Sequence, residues 1–127
     1  MIVFPIVYDR PTGTGKGPQP GAVALMAWCL ARWTIATNLG IFNPRNVRGG
    51  DTPSAHSDGS AIDVGFPYTV GGTVEGWDCA NTLRIHAREL GVQQIIYARK
   101  IWRNTRAEEG WRNYAGVAAH YEHVHAE

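Results

Sequence analysis

Two stretches of this chain hold side chains that bind metals and move protons. Ser54-Ala55-His56-Ser57-Asp58-Gly59-Ser60-Ala61-Ile62-Asp63-Val64 carries an imidazole and a carboxylate seven positions apart. Glu122-His123-Val124-His125 carries a carboxylate and two imidazoles within four residues. Borderline metals such as zinc take His nitrogen and Asp oxygen, and a catalytic zinc site uses three protein ligands plus an open position for water. His56, Asp63 and His125 are read as the three ligands of a Zn2+ ion. Asp58-Gly59 is a turn signal that can fold His56 back toward Asp63. Ser60 to Gly65 has a strand pattern with Ile62 and Val64 on one face and Ala61 and Asp63 on the other. Gly59 and the β-branched Ile62 and Val64 argue against a helix across this spacing. His123 and His125 share one face of a second strand.

The pattern Ser54-x-His56-x-x-Gly59-x-Ala61-x-Asp63, joined far downstream by His123-x-His125, resembles the zinc D-Ala-D-Ala carboxypeptidase and endopeptidase group. These M15-type peptidases share a fold with the hedgehog signalling domain. Ile101-Trp102-Arg103, Gly110-Trp111-Arg112-x-Tyr114 and His120-Tyr121-x-His123-Val124-His125 look most like actinobacterial and mycobacteriophage cell-wall peptidase domains. The resemblance spans Gly40 to Glu127. It implies a zinc metallopeptidase of D,D- or L,D-type, an endopeptidase or carboxypeptidase. The substrate would be peptidoglycan stem or cross-link peptides, cut next to a D-amino acid, as in a phage endolysin or another cell-wall lytic enzyme. Glu122 stands three residues before His125, as in the family's ExxH variant, and is the first candidate for general base. A regular strand would aim positions 122 and 125 to opposite faces, so His123 is the second candidate. Arg48, then Arg45, would face the scissile carbonyl or a substrate carboxylate. Ser54 would orient a ligand, and His120 would lie near substrate. Two rival readings stand beside the enzyme: a non-catalytic, hedgehog-like zinc-binding interaction module, and a tail-associated phage structural component.

The rest of the chain must position these groups. Its 127 residues make one domain, residues 1–127, with 1–20 an N-terminal arm and loop. A net charge of +1 gives no case for nucleic-acid or membrane binding. A monomer is expected, with a peptidoglycan peptide as partner. Cys29 and Cys79 read as buried small hydrophobes, with a disulfide as the lesser option. The apolar N-terminus lacks a basic region and a cleavage site and contains Pro5, so no signal peptide is read. Action on the bacterial cell wall would then come after release by phage lysis. Gly13-Thr14-Gly15-Lys16-Gly17 does not have phosphate-loop spacing.

The expected architecture is α+β: a small antiparallel sheet carrying the metal on one face and helices on the other, hedgehog/DD-peptidase-like. Met1 to Tyr8 is a strand or arm. Ala22 to Asn38 is a helix with Val23, Ala24, Ala27, Leu30, Ala31 and Thr34 as its apolar stripe, widened by Leu25, Trp28 and Trp33. Phe66 to Gly76 reads as loop, and Trp77 to Leu90 as a helix stopped by Gly91. Val92 to Ala98 is a strand, Arg99 to Gly116 a partly ordered excursion, and Val117 to Ala126 the last strand.

Overall fold

A computed structural model describes residues 10–127. Met1 to Tyr8, read as a strand or arm, lies outside those residues. The fold is α+β. Among the described residues three α-helices, α1 (Pro20–Arg32), α2 (Val70–Ile85) and the short α3 (Ala87–Leu90), accompany six strands. These are β1 (Thr37–Asn38), β2 (Ile62–Gly65), β3 (Gln94–Tyr97), β4 (Lys100–Arg103), β5 (Arg112–Asn113) and β6 (His123–Ala126). They form one sheet in the order β1-β2-β6-β3-β4-β5, every neighbouring pair antiparallel.

Alternation along the strands divides the sheet into two unlike faces. Ile62, Val64, Ile95, Tyr97, Val124 and Ala126 point into a core shared with Met26, Cys29, Cys79 and Leu83 of the helices. The opposite face carries Asp63, Gln94, Ile96, Arg103, His123 and His125, all of which line a single cleft. Cys29 and Cys79 are fully buried and free, as small apolar residues would be. No helix among the described residues is long and apolar enough to cross a membrane.

Three elements differ from the expected ones. Helix α1 stops at Arg32 rather than Asn38, because Trp33 is already extended at φ −114° and ψ 101°. The β-branched Thr34, Ile35 and Thr37 beyond it favour strand, and Thr37 enters β1. Its buried face is Ala22, Met26, Cys29 and Trp33, whereas Val23, Ala24, Ala27, Ala31 and Thr34 of the expected stripe are exposed. Both stripes have helical spacing, but Met26 and Trp33 bury far more apolar surface than alanines do.

Helix α2 begins at Val70, not Trp77, and breaks at His86. The glycines that suggested a loop sit inside the helix, and at Gly72 and Gly76 the fold leaves no room for a side chain. Thr69 caps it, its hydroxyl accepting from the Gly72 amide at 3.0 Å. A Cβ on Gly72 would drive into the Pro67 carbonyl oxygen, and one on Gly76 into the Tyr97 hydroxyl. Gly72→Ala is therefore expected to destabilise the domain by about 1–3 kcal/mol, despite alanine's better helix propensity. Urea unfolding at equilibrium measures this.

The supposed excursion from Arg99 contains β4 and β5. Tyr97 pairs with Lys100, so Ala98 and Arg99 form a two-residue hairpin turn with φ of 46° and 63°. Such turns normally announce themselves with Asn or Gly, and neither is present. The last strand is shorter than expected, His123–Ala126 only.

Candidate metal centre

The register of the sheet brings two of the expected ligands together. Asp63 on β2 is directly opposite His125 on β6. The third ligand, His56, arrives from the 3-10 turn Ala55–Asp58 just before β2. Ser54 caps that turn, its hydroxyl accepting from the His56 amide at 3.2 Å. Gly59 ends it at φ 69°, with a Cβ there blocked by the Gly17 carbonyl. The reversal lays the His56 ring over β2, its centroid 5.0 Å from that of His125.

Asp63 sits between the two rings. Its Oδ2 lies 3.1 Å from His56 Nε2, and its Oδ1 lies 3.2 Å from His125 Nδ1. Donors held 2.0–2.2 Å from one zinc at tetrahedral angles would be about 3.3–3.6 Å apart. His56 Nε2 is close to the carboxylate, yet it is buried and not aligned to hydrogen-bond with anything. An imidazole nitrogen without a partner costs free energy when buried, unless a bound cation completes it. Among the described residues, His56, Asp63 and His125 form the one group able to hold a metal, with ligand atoms within 4.8 Å of one another.

The outer hydrogen bonds set the ring tautomers. His56 Nδ1–H donates to the Ile41 carbonyl at 2.8 Å, which leaves the Nε2 lone pair facing Asp63. His125 Nε2–H donates to the Glu127 carboxylate at 3.1 Å and its Nδ1–H to Asp63 Oδ1 at 3.2 Å, so Nδ1 is the nitrogen that would give up its proton to a metal. Each ligand thus presents one nitrogen inward with the other fixed outward, the usual arrangement of metal-bound histidine. Burial opposes ionisation of Asp63, but the adjoining His125 and His56 imidazoles outweigh it and hold the carboxyl far below its ordinary range. Burial likewise opposes charge on His125, and the Asp63 and Glu127 carboxylates overcome it, raising the imidazole to about 9.

The site lies on the floor of a cleft of about 640 Å³. His123 lines it, with Nε2 3.6 Å from Asp63 Oδ1. Burial, with the neighbouring His125 and His56, lowers the His123 pKa although the Asp63 charge opposes this. His120 is also present, held at φ 58° with its Nδ1–H donating to the Ala118 carbonyl at 2.6 Å. Burial and the nearby His125 and His123 push it down to about 4. Arg45, Arg48 and Ser54 line the same cleft, joined by Arg10 and Arg103. Glu122 is not brought in. It is exposed, precedes β6 and does not line the cleft; its carbonyl accepts from the Phe66 amide at 2.9 Å. The alternation that puts residues 123 and 125 on the cleft face aims position 122 elsewhere.

Sequence reasoning missed Glu127, Gln94 and Arg103. The alternation that paired residues 123 and 125 reaches Glu127 when carried two residues further. Gln94 and Arg103 required the register of β3 and β4, which no local pattern encodes.

The glycine-rich N-terminal loop cradles an internal anion. Asp58 accepts from the Thr12 amide at 2.6 Å, the Thr12 hydroxyl at 3.0 Å and the Thr14 amide at 3.1 Å. Successive backbone amides turned inward make a natural carboxylate nest. Slight burial raises the Asp58 pKa, and the bonds from Thr12, Gly13 and Gly15 outweigh it, so the net shift is downward. A lowered carboxyl contributes stability above its unfolded value, near 3.9, and loses it as pH falls through the folded value. Asp58→Asn should cost about 1 kcal/mol at pH 7, discounted for exposure. The difference from wild type should shrink steadily below about pH 4; thermal unfolding across pH measures it.

A family model described as the VldE C-terminal domain matches residues 14–125. No curated protein and no solved structure matches the chain. The family match overturns the M15-type assignment, and with it peptidoglycan cleavage, the endolysin reading, a phage origin and their rival hedgehog-like and tail-associated roles. The expected kinship with the hedgehog fold has no solved structure behind it. The resemblance misled for a physical reason. Three of its fixed positions shape the turn and strand here: a capping Ser54, a left-handed Gly59 and a small, buried Ala61. The match across nearly the whole chain, both site segments included, decides the matter: the chain belongs to the VldE C-terminal domain family.

Proposed function

We propose that this domain is a zinc enzyme acting on a small anionic molecule that carries a carbonyl or phosphoryl group. One observation supports the reading most strongly: three converging donors, with His56 Nε2 buried 3.1 Å from Asp63 but without an aligned hydrogen bond, at the floor of an open cleft. Two imidazoles and one carboxylate suit zinc among the available divalent ions. Zinc held there would polarise a substrate oxygen and lower the pKa of water to about 7.

His123 is the residue assigned to proton movement. It faces the cleft beside Asp63, and its lowered pKa keeps the ring neutral and able to accept a proton near pH 7. His120, neutral as well, presents Nε2 as a hydrogen-bond acceptor because Nδ1–H is committed to Ala118. Ser54 holds the His56 turn. Arg45 and Arg48, with Arg10 and Arg103, make the cleft cationic, since Asp63 and Glu127 are both engaged by His125. That balance favours a carboxylate- or phosphate-bearing substrate.

The test uses chelator-stripped and zinc-reloaded protein with p-nitrophenyl acetate and p-nitrophenyl phosphate as probes. Nitrophenolate release that requires zinc is the expected result. Failure to bind zinc, or equal release with and without it, would contradict the proposal.

A further inference from the structure

Two rows of side chains cross the cleft face of the sheet. The first is Ile101, Ile96, His125 and Asp63, successive register partners from β4 to β2. The second, beside it, is Arg103, Gln94 and Glu127. Arg103 is the register partner of Gln94. Gln94 and Glu127 exchange backbone hydrogen bonds, the Glu127 amide donating at 3.0 Å and the Gln94 amide at 3.2 Å. The side chains repeat that connection. Arg103 Nε–H donates to Gln94 Oε1 at 2.5 Å, and the Gln94 amide group donates to Glu127 Oε1. The same Glu127 oxygen accepts from His125 Nε2 at 3.1 Å. The Glu127 side chain is 6 % exposed and Gln94 is buried.

We propose that Glu127 is a positioning residue for the metal, and that Gln94 and Arg103 hold it in place. This rests on the zinc reading above. A guanidinium can only donate, so Arg103 fixes which end of the Gln94 amide faces it. The NH2 end must then face Glu127. The carboxylate is thereby held where it accepts Nε2–H of His125, which makes Nδ1, beside Asp63, the nitrogen that yields its proton to a cation. Such a carboxylate both orients the imidazole and makes it a better donor to a cation. Glu127 is not one of the three converging donors; it acts through His125. The polar row is also coupled: loss of Gln94 leaves the Glu127 carboxylate with one fewer buried donor, so it settles less well on the ring.

Zinc affinity of the chelator-stripped chain, measured by competition with a chromogenic chelator, tests this, together with the visible spectrum of the cobalt-loaded chain. Glu127→Ala should weaken zinc binding by about 10–100-fold and change the cobalt band. Glu127→Gln, which keeps an oxygen acceptor, should recover most of the affinity and the wild-type band. Gln94→Ala should lose roughly 3–10-fold, and the double variant E127A/Q94A no more than E127A alone. Unfolding of each metal-free variant is recorded alongside. Should E127A fail to fold, E127Q and Q94A decide. Wild-type zinc binding with unchanged affinity and spectrum in these variants overturns this proposal alone. A wild-type chain that binds no zinc overturns the metal reading and this proposal with it.

Discussion

Asp63→Ala is expected to abolish zinc binding altogether, a loss of at least several hundred-fold in affinity, because the carboxylate is the only anionic ligand of the three and lies between the two imidazoles. Zinc at about a thousand times its dissociation constant adds about 4 kcal/mol to the stability of a chain that binds it only when folded. For a domain of this size that is on the order of 10–20 °C in unfolding temperature. The variant should show none of it. The metal-free variant should itself be less stable by about 2–3 kcal/mol, because His125 loses one of its two carboxylate partners while remaining buried. Asp63→Asn separates charge from shape: it keeps the side-chain volume and should still fail to hold the ion. Thermal unfolding with and without added zinc measures both effects.

His123→Ala is the second large effect, and it should fall on turnover rather than on the metal. Its ring faces the cleft 3.6 Å from Asp63 and belongs to no hydrogen bond that shapes the ligands. Zinc affinity should stay within about threefold of wild type, while zinc-dependent turnover of the nitrophenyl probes falls by about 10²–10⁴. Glu122→Gln, by contrast, should leave turnover unchanged, since that side chain is exposed and outside the cleft. A loss at Glu122 with none at His123 would reverse the assignment of the two residues. Steady-state rates of the zinc-loaded variants across pH distinguish these outcomes.

The convergence of His56, Asp63 and His125 was legible because each of its signals is local. Gly59 after Asp58 marks a reversal, and alternation from Ile62 to Val64 fixes which face Asp63 takes. The same alternation separates His125 from Val124. What failed depended on contacts that no local pattern announces. Gly72 and Gly76 read as loop until Pro67 and Tyr97 are seen pressed against them. The turn at Ala98-Arg99 carries no glycine or asparagine, so β4 was hidden and Arg103 with it. Helix α1 offered two stripes of equal spacing, and only the core showed that Met26 and Trp33 lie inward. Family membership was misjudged for the opposite reason: two short local motifs were taken as the family, and the match over residues 14–125 is to another.

Zinc titration of the chelator-stripped wild-type chain, measured calorimetrically beside Asp63→Ala and His125→Ala, bears most directly on the whole account. One ion per chain should bind wild type, and none should bind either variant. Zinc uptake that persists in both variants, or a wild-type chain that takes up none, would show that residues 56, 63 and 125 meet for some purpose other than holding a metal.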